Sequence, residues 1–151
     1  KLRETGLILG TVLATSGLLQ TLAKEGVGRA RPITNLGAYE FEPFHGTPAF
    51  HSFPSGHAWV ACAISLVMVK RTDSVPLKIL FYGLAGSTLM ARMYTDAHWF
   101  SDLAFSTALA YFCTQTAISR LGGNQFRKKR TAGIHTSMMP NPRGATLTIR
   151  W

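Results

Sequence analysis

Four apolar stretches, at residues 5–23, 57–69, 77–91 and 103–119, separated by polar links, constrain this chain more than any other feature. The first and last carry no charged side chain. Segments of this length with few β-branched clusters favour helices over strands. The expectation is an all-α helical bundle with its functional site at one end. Pro54-Ser55-Gly56 introduces the second stretch, and Gly122-Gly123-Asn124 closes the fourth as a helix terminator. The connection 24–53 is long and rich in Gly, Pro, His and aromatics, a composition that marks functional loops. The length is that of one domain. It divides into a helical body over 1–123 and a tail over 124–151 that is first basic, then Pro/Gly-rich. Residues 145–151 alternate like a lone strand. The chain opens on Lys1 rather than Met, which reads as a processed form or a piece of a longer protein.

The formal charge of +9 fits nucleic acid, anionic lipid or a phosphorylated substrate, and the placement of the charges separates these. If four helices alternate in direction, one side carries ten basic residues against two acids, Glu4 and Asp73. The other side carries Lys24, Arg29, Arg31 and Arg92 with five acids. The positive-inside rule then places the ten-residue side in the cytoplasm and the long loop outside. The stretches are just long enough to span a bilayer, although Thr, Ser, Gln and Gly dilute them and the mean hydropathy is +0.12. A membrane protein is the leading expectation, with a soluble helical protein carrying a basic face as the alternative. Arg127-Lys128-Lys129-Arg130 suits anionic headgroups. Neither a nucleic-acid module nor a basic groove interleaved with aromatics is legible, so no nucleic-acid partner is expected. Cys62 and Cys113 lie in apolar stretches without metal spacing and read as small buried hydrophobes.

Three clusters that carry chemistry fall on the less basic side. In the first, Lys24 and Arg31-Pro32 flank a glycine-containing turn, pairing a point charge with a planar fork suited to phosphate oxygens. In the second, Pro54-Ser55-Gly56-His57 opens an apolar helix, whose first N–H groups make an anion site beside a histidine. In the third, Arg92 precedes His98 and Asp102, which stand four apart; on a helix they would share a face and hydrogen-bond. A carboxylate on one imidazole nitrogen leaves the other as a nucleophile. Taken singly, each cluster also reads as solvated charge or an ordinary helix cap.

Together the clusters resemble the three-part signature of the type 2 phosphatidic-acid phosphatase superfamily, which also holds bacterial acid phosphatases and vanadium haloperoxidases. Its first part, Lys, six residues and Arg-Pro, is met by Lys24 and Arg31-Pro32. The second, Pro-Ser-Gly-His, is met by Pro54 to His57. The third, Ser-Arg, five residues, His, three residues and Asp, is met by Arg92, His98 and Asp102, with Ala91 where the family usually has serine.

The resemblance implies a phosphatase that cleaves a phosphate monoester or pyrophosphate. Lys24, Arg31 and Arg92, with Ser55 and Gly56, would hold the phosphate, and His98, oriented by Asp102, would attack phosphorus. His57 would protonate the leaving alkoxide and then activate water. Charge stabilisation of this kind asks for no metal, and no cofactor is expected. His45 and His51 match no motif position and read as structural or substrate-contacting. The implied substrate is a lipid phosphate if the protein sits in a bacterial inner membrane with its site facing the periplasm, or a small organic phosphate if it is a soluble periplasmic enzyme. Aromatics of the long loop, Tyr39, Phe41, Phe44, Phe50 and Phe53, would suit an acyl chain or simple loop packing. Two alternatives keep the chain outside this reading: a vanadium-dependent haloperoxidase on the same fold, and a non-enzymatic membrane protein that binds anionic lipid.

Overall fold

The computed structural model describes residues 2–122 together with the strand segments 135–141 and 144–150. Four helices build the body: α1 Leu2–Val27, α2 Gly56–Arg71, α3 Val75–Tyr94 and α4 Phe100–Leu121. Beyond them β1 His135–Asn141 pairs antiparallel with β2 Gly144–Arg150. The segment read as a lone strand therefore has a partner in the tail. The basic run 127–130 lies outside the described residues.

Each helix runs past the apolar stretch that announced it. α1 carries Glu4 in its first turn and Lys24 in its last, and α2 ends on Lys70 and Arg71. These charges complement the helix macrodipole, so they extend the helices instead of ending them. Ser55 caps α2, its hydroxyl accepting the Ala58 N–H at 3.4 Å. A proline in the first turn opens α3, where a missing N–H costs nothing. Asp102 caps α4 by accepting the Trp99 N–H at 3.0 Å.

α2 is the central helix and packs against α1, α3 and α4, while α1 also packs on α4. Ile8 and Val12 of α1, Trp59, Ala63 and Val67 of α2, and Ala110 and Ala117 of α4 form the core. Ser65 of α2 donates to the Phe81 carbonyl of α3 at 2.8 Å, tying the two helices at mid-height. The outward faces stay apolar: Leu7, Leu18 and Leu22 of α1, Ile79, Leu80 and Leu84 of α3, and Phe105 and Phe112 of α4 are exposed. Of the four stretches read as long enough to span a bilayer, one among the described residues, α1, combines the required length and hydropathy.

The connection between α1 and α2 has structure of its own. It holds two 3-10 turns, Pro32–Thr34 and Pro48–Phe50, and an antiparallel bridge between Arg29 and Phe41. Gly28 makes the bridge possible. Its φ is +56°, and a Cβ there would lie 1.9 Å from the Glu42 carbonyl oxygen. Because the helices alternate in direction, this loop, the end of α3 and the start of α4 meet at one end of the bundle.

Candidate active site

Lys24 stands in the last turn of α1, Arg31 at the start of the first 3-10 turn, and His57 in the first turn of α2. Arg92 lies in the last turn of α3, and His98 lies in the short link before α4. The fold brings these five together. His57 feels the charges of Arg92, Lys24 and Arg31, and His98 those of Arg31 and Lys24. Arg31 Nε and Arg92 Nε are buried without a protein partner, although nearly all buried donors in proteins are paired. Three cations converge on His57 and two of them also on His98, and two guanidinium groups hold donors unused by the protein. The arrangement suits an oxyanion.

The two histidines differ in environment. His98 is 5% exposed, whereas His57 is open to solvent. Burial, opposed by the hydrogen bond to Ser52 and reinforced by Arg31, pushes His98 down to about 4. Its ring is thus neutral above about 4. His57 is also held below its ordinary value, by partial desolvation and then by Arg92, Lys24 and Arg31.

Two expectations need correction. His98 and Asp102 do not share a helix face: α4 begins at Phe100, so His98 precedes the Trp99 cap. His98 Nδ1 bonds the Ser52 carbonyl oxygen at 2.6 Å. Asp102, fully buried, instead accepts from Ser52 Oγ at 2.6 Å, from the Trp99 N–H, and from Arg29 at 2.5 Å. The second concerns the backbone N–H of Ser55. This N–H is taken by Ser106 Oγ at 2.8 Å, so it is not free to cradle an anion. Orphan donors at this helix start come from Gly56 and His57. A Cβ at Gly56 would meet the side-chain amide of Gln20 from α1, which would have to turn aside.

Arg29 and Ser52 were missed by sequence reasoning. Arg29 stood out only as the fourth basic residue on this side, one that fell between motif positions. Ser52 sits two residues before Pro54 in a loop without periodicity, and only the fold shows that it faces Asp102. His45 pairs with Glu42 at 3.1 Å and packs on Phe50, and His51 faces Glu25 at 3.3 Å. Both histidines brace the loop. Ala91 lies on the exposed side of the last turns of α3, and its carbonyl accepts from Thr95. Both cysteines are free thiols, Cys62 buried and Cys113 half-buried.

A helical bundle thus gathers three cations, two helix-start N–H groups and a locked imidazole at one end, a set of donors that suits an oxyanion. The PAP2 superfamily profile matches residues 5–125, and the chain belongs to that superfamily. It is 35% identical over 116 residues to a lipid A 1-phosphatase of Rhizobium etli, covering 75% of this chain and 49% of the relative. The corresponding protein of Rhizobium johnstonii is likewise 35% identical, with 47% of its length covered. A decaprenylphosphoryl-5-phosphoribose phosphatase of Mycobacterium tuberculosis is 30% identical over 128 residues, covering 85% of this chain and 68% of the relative. The chain thus spans about half the length of its rhizobial relatives. No solved structure matches it.

Proposed function

We propose that this chain is the catalytic bundle of a metal-independent phosphatase acting on a phosphate monoester or pyrophosphate carried by a lipid. The observation that carries the reading is the meeting of Lys24, Arg31 and Arg92 around His57 and His98, with buried guanidinium nitrogens unused by the protein. Lys24, Arg31 and Arg92, with the N–H groups of Gly56 and His57, hold the phosphoryl oxygens. Ser55 caps the helix that supplies these donors. His98 Nε2 attacks phosphorus in line and the bond to the leaving oxygen breaks, giving a phosphohistidine on His98. His57 gives its proton to that oxygen. It then takes one from a water that attacks phosphorus; the N–P bond breaks, and inorganic phosphate leaves as the His98 lone pair is restored. Neutral His98 is ready as a nucleophile without a base, and the cations stabilise charge on the equatorial oxygens.

Four features support a lipid substrate and a membrane location with the site facing outward. Relatives named for lipid A and for a decaprenyl-linked phosphoribose act on phosphate attached to lipids. α1 is long and apolar enough to enter a bilayer. Around the site, Ile33, Tyr39, Phe44, Tyr94 and Phe100 expose large apolar side chains, as a surface bathed by lipid would. The end remote from the site carries Arg3, Lys70, Arg71, Lys78 and Arg120, the asymmetry of a cytoplasmic face.

The test is phosphate release by detergent-purified protein in EDTA, with lipid A, phosphatidic acid, undecaprenyl pyrophosphate and p-nitrophenyl phosphate compared, and His98→Ala beside the wild type. Release that depends on His98 and favours a lipid supports the reading. Equal release by both proteins, or none from folded wild type, rejects it.

A further inference from the structure

Asp102 does not touch the histidine it was expected to orient; its carboxylate is spent on Arg29, Ser52 and the Trp99 N–H. Ser52 stands between the two residues. Its N–H donates to the Arg29 carbonyl at 3.0 Å, its hydroxyl donates to Asp102 Oδ2 at 2.6 Å, and its carbonyl accepts from His98 Nδ1 at 2.6 Å. All three polar groups of one fully buried residue are engaged, so the carbonyl is fixed in position. A carbonyl can only accept, which places the hydrogen on Nδ1 and leaves the Nε2 lone pair of the neutral ring free.

Arg29 completes the chain. Nε and one terminal nitrogen donate to the Ala38 carbonyl at 3.0 and 2.8 Å, and the other donates to Ser101 Oγ at 2.7 Å and to Asp102. The group also lies 5.8 Å from the centroid of Phe41 and 5.7 Å from that of Trp99. Four of its five N–H donors serve the protein, in contrast to Arg31 and Arg92, whose buried Nε atoms have no protein partner. Arg29 is therefore not equipped to bind phosphate. It holds the buried Asp102 carboxylate in place.

We infer that Ser52 and Arg29 are positioning residues for the nucleophile: Asp102 sets the tautomer and aim of His98 through the Ser52 peptide, not by direct contact. The inference rests on the reading of His98 as nucleophile. Removing the hydroxyl of Ser52 frees its peptide to turn, and His98 then loses both its preferred tautomer and its aim, while the phosphate-binding cations stay as they were. The effect falls on turnover and spares substrate binding. A purely structural role would lower stability and leave the tautomer of the folded fraction unchanged.

The test uses the full chain in detergent with p-nitrophenyl phosphate. Wild type against His98→Ala first decides whether the phosphatase reading stands, independently of the Ser52 and Arg29 variants. Ser52→Ala should lower kcat by about 10- to 100-fold with KM within about twofold, as removal of a partner that orients a catalytic ligand does. Arg29→Lys, which keeps the charge and loses the fork, should show the same split. In Ser52→Ala/Asp102→Asn, kcat should equal that of Asp102→Asn alone, because both substitutions cut one path. Nitrogen-15 histidine spectra of the wild type, assigned with His98→Gln, should show the Nδ1–H tautomer, and Ser52→Ala should show a mixture. Unchanged kcat in folded Ser52→Ala, multiplicative losses in the double variant, or an Nε2–H tautomer in the wild type would overturn the inference. A rise in KM with kcat retained in Arg29→Lys would make Arg29 a phosphate ligand and overturn its part. If Ser52→Ala does not fold, the wild-type tautomer decides.

Discussion

His98 and His57 both face Lys24 and Arg31, yet one is buried and the other largely open, and this difference sets a pH dependence that can be measured. Attack needs His98 neutral, which holds above about 4. Proton donation needs His57 charged, which holds below its own value, itself under the ordinary 6.5. The profile of kcat/KM, which reports the free enzyme, should therefore peak between about 4 and 6.5. A flat profile, or an optimum above 7, would contradict the assignment of roles. The same burial links stability to pH. The folded pKa of His98 lies below its unfolded value, so between about 4 and 6.5 the unfolded chain binds more protons. Stability should be full above 6.5 and fall as the pH drops towards 4, and His98→Gln should flatten that slope in denaturant titrations. Gly28 offers a conformational test. Gly28→Ala meets both a left-handed φ and the Glu42 carbonyl, and should cost at least about 2 kcal/mol in urea unfolding. Gly26→Ala, in α1 with open space around it, should be neutral or stabilising by up to about 1 kcal/mol.

Among the elements, the junction of α2 and α4 holds the site in register, and Ser106 is its pin. Ser106 Oγ accepts the Ser55 N–H at 2.8 Å and donates to the Asp102 carbonyl at 2.7 Å, so one hydroxyl ties the start of α2 to the first turns of α4. Ser106→Ala leaves the buried Ser55 N–H without a partner, and thermal unfolding should report a loss of about 1–3 kcal/mol. Ser119→Ala, whose hydroxyl is exposed on the same helix, should change little. The elements also show what was legible in the sequence. The apolar stretches, by their length and scarcity of β-branched clusters, found all four helices. Motif spacing likewise brought out Lys24, Arg31, His57, Arg92 and His98, which the fold gathers at one end. The His98–Asp102 pairing failed because four-residue spacing implies contact only inside a helix. Here Trp99 caps α4 between the two, a boundary that the aspartate at the third helical position could have signalled. Arg29 and Ser52 stayed hidden for a different reason. They meet Asp102 across 73 and 50 residues of chain, and local pattern carries no record of such contacts.

At the scale of the whole molecule, the bundle is built inside out at one radius only. α2 is packed on three sides, yet α1, α3 and α4 turn apolar side chains outward, and the loop beside the site adds Tyr39 and Phe44. In water such a surface would drive association, whereas in a bilayer it is matched by acyl chains. The site would then lie at headgroup depth, where a lipid-borne phosphate presents itself without the lipid leaving the membrane. α1 gives the sharpest test, because its buried and outward positions are distinct: Ile8, Val12 and Ser16 face the bundle, and Leu18 is 65% exposed. Leu18→Arg should leave the packing of the core intact. If α1 lies in the bilayer, a charge on its outer face costs about 2–3 kcal/mol, less if the side chain reaches the interface. The carbonate-resistant membrane fraction should then drop, while p-nitrophenyl phosphate hydrolysis in detergent is retained, since micelles impose no such penalty. Equal membrane retention of Leu18→Arg and wild type would place α1 outside the bilayer and return the small organic phosphates to the front of the substrate question.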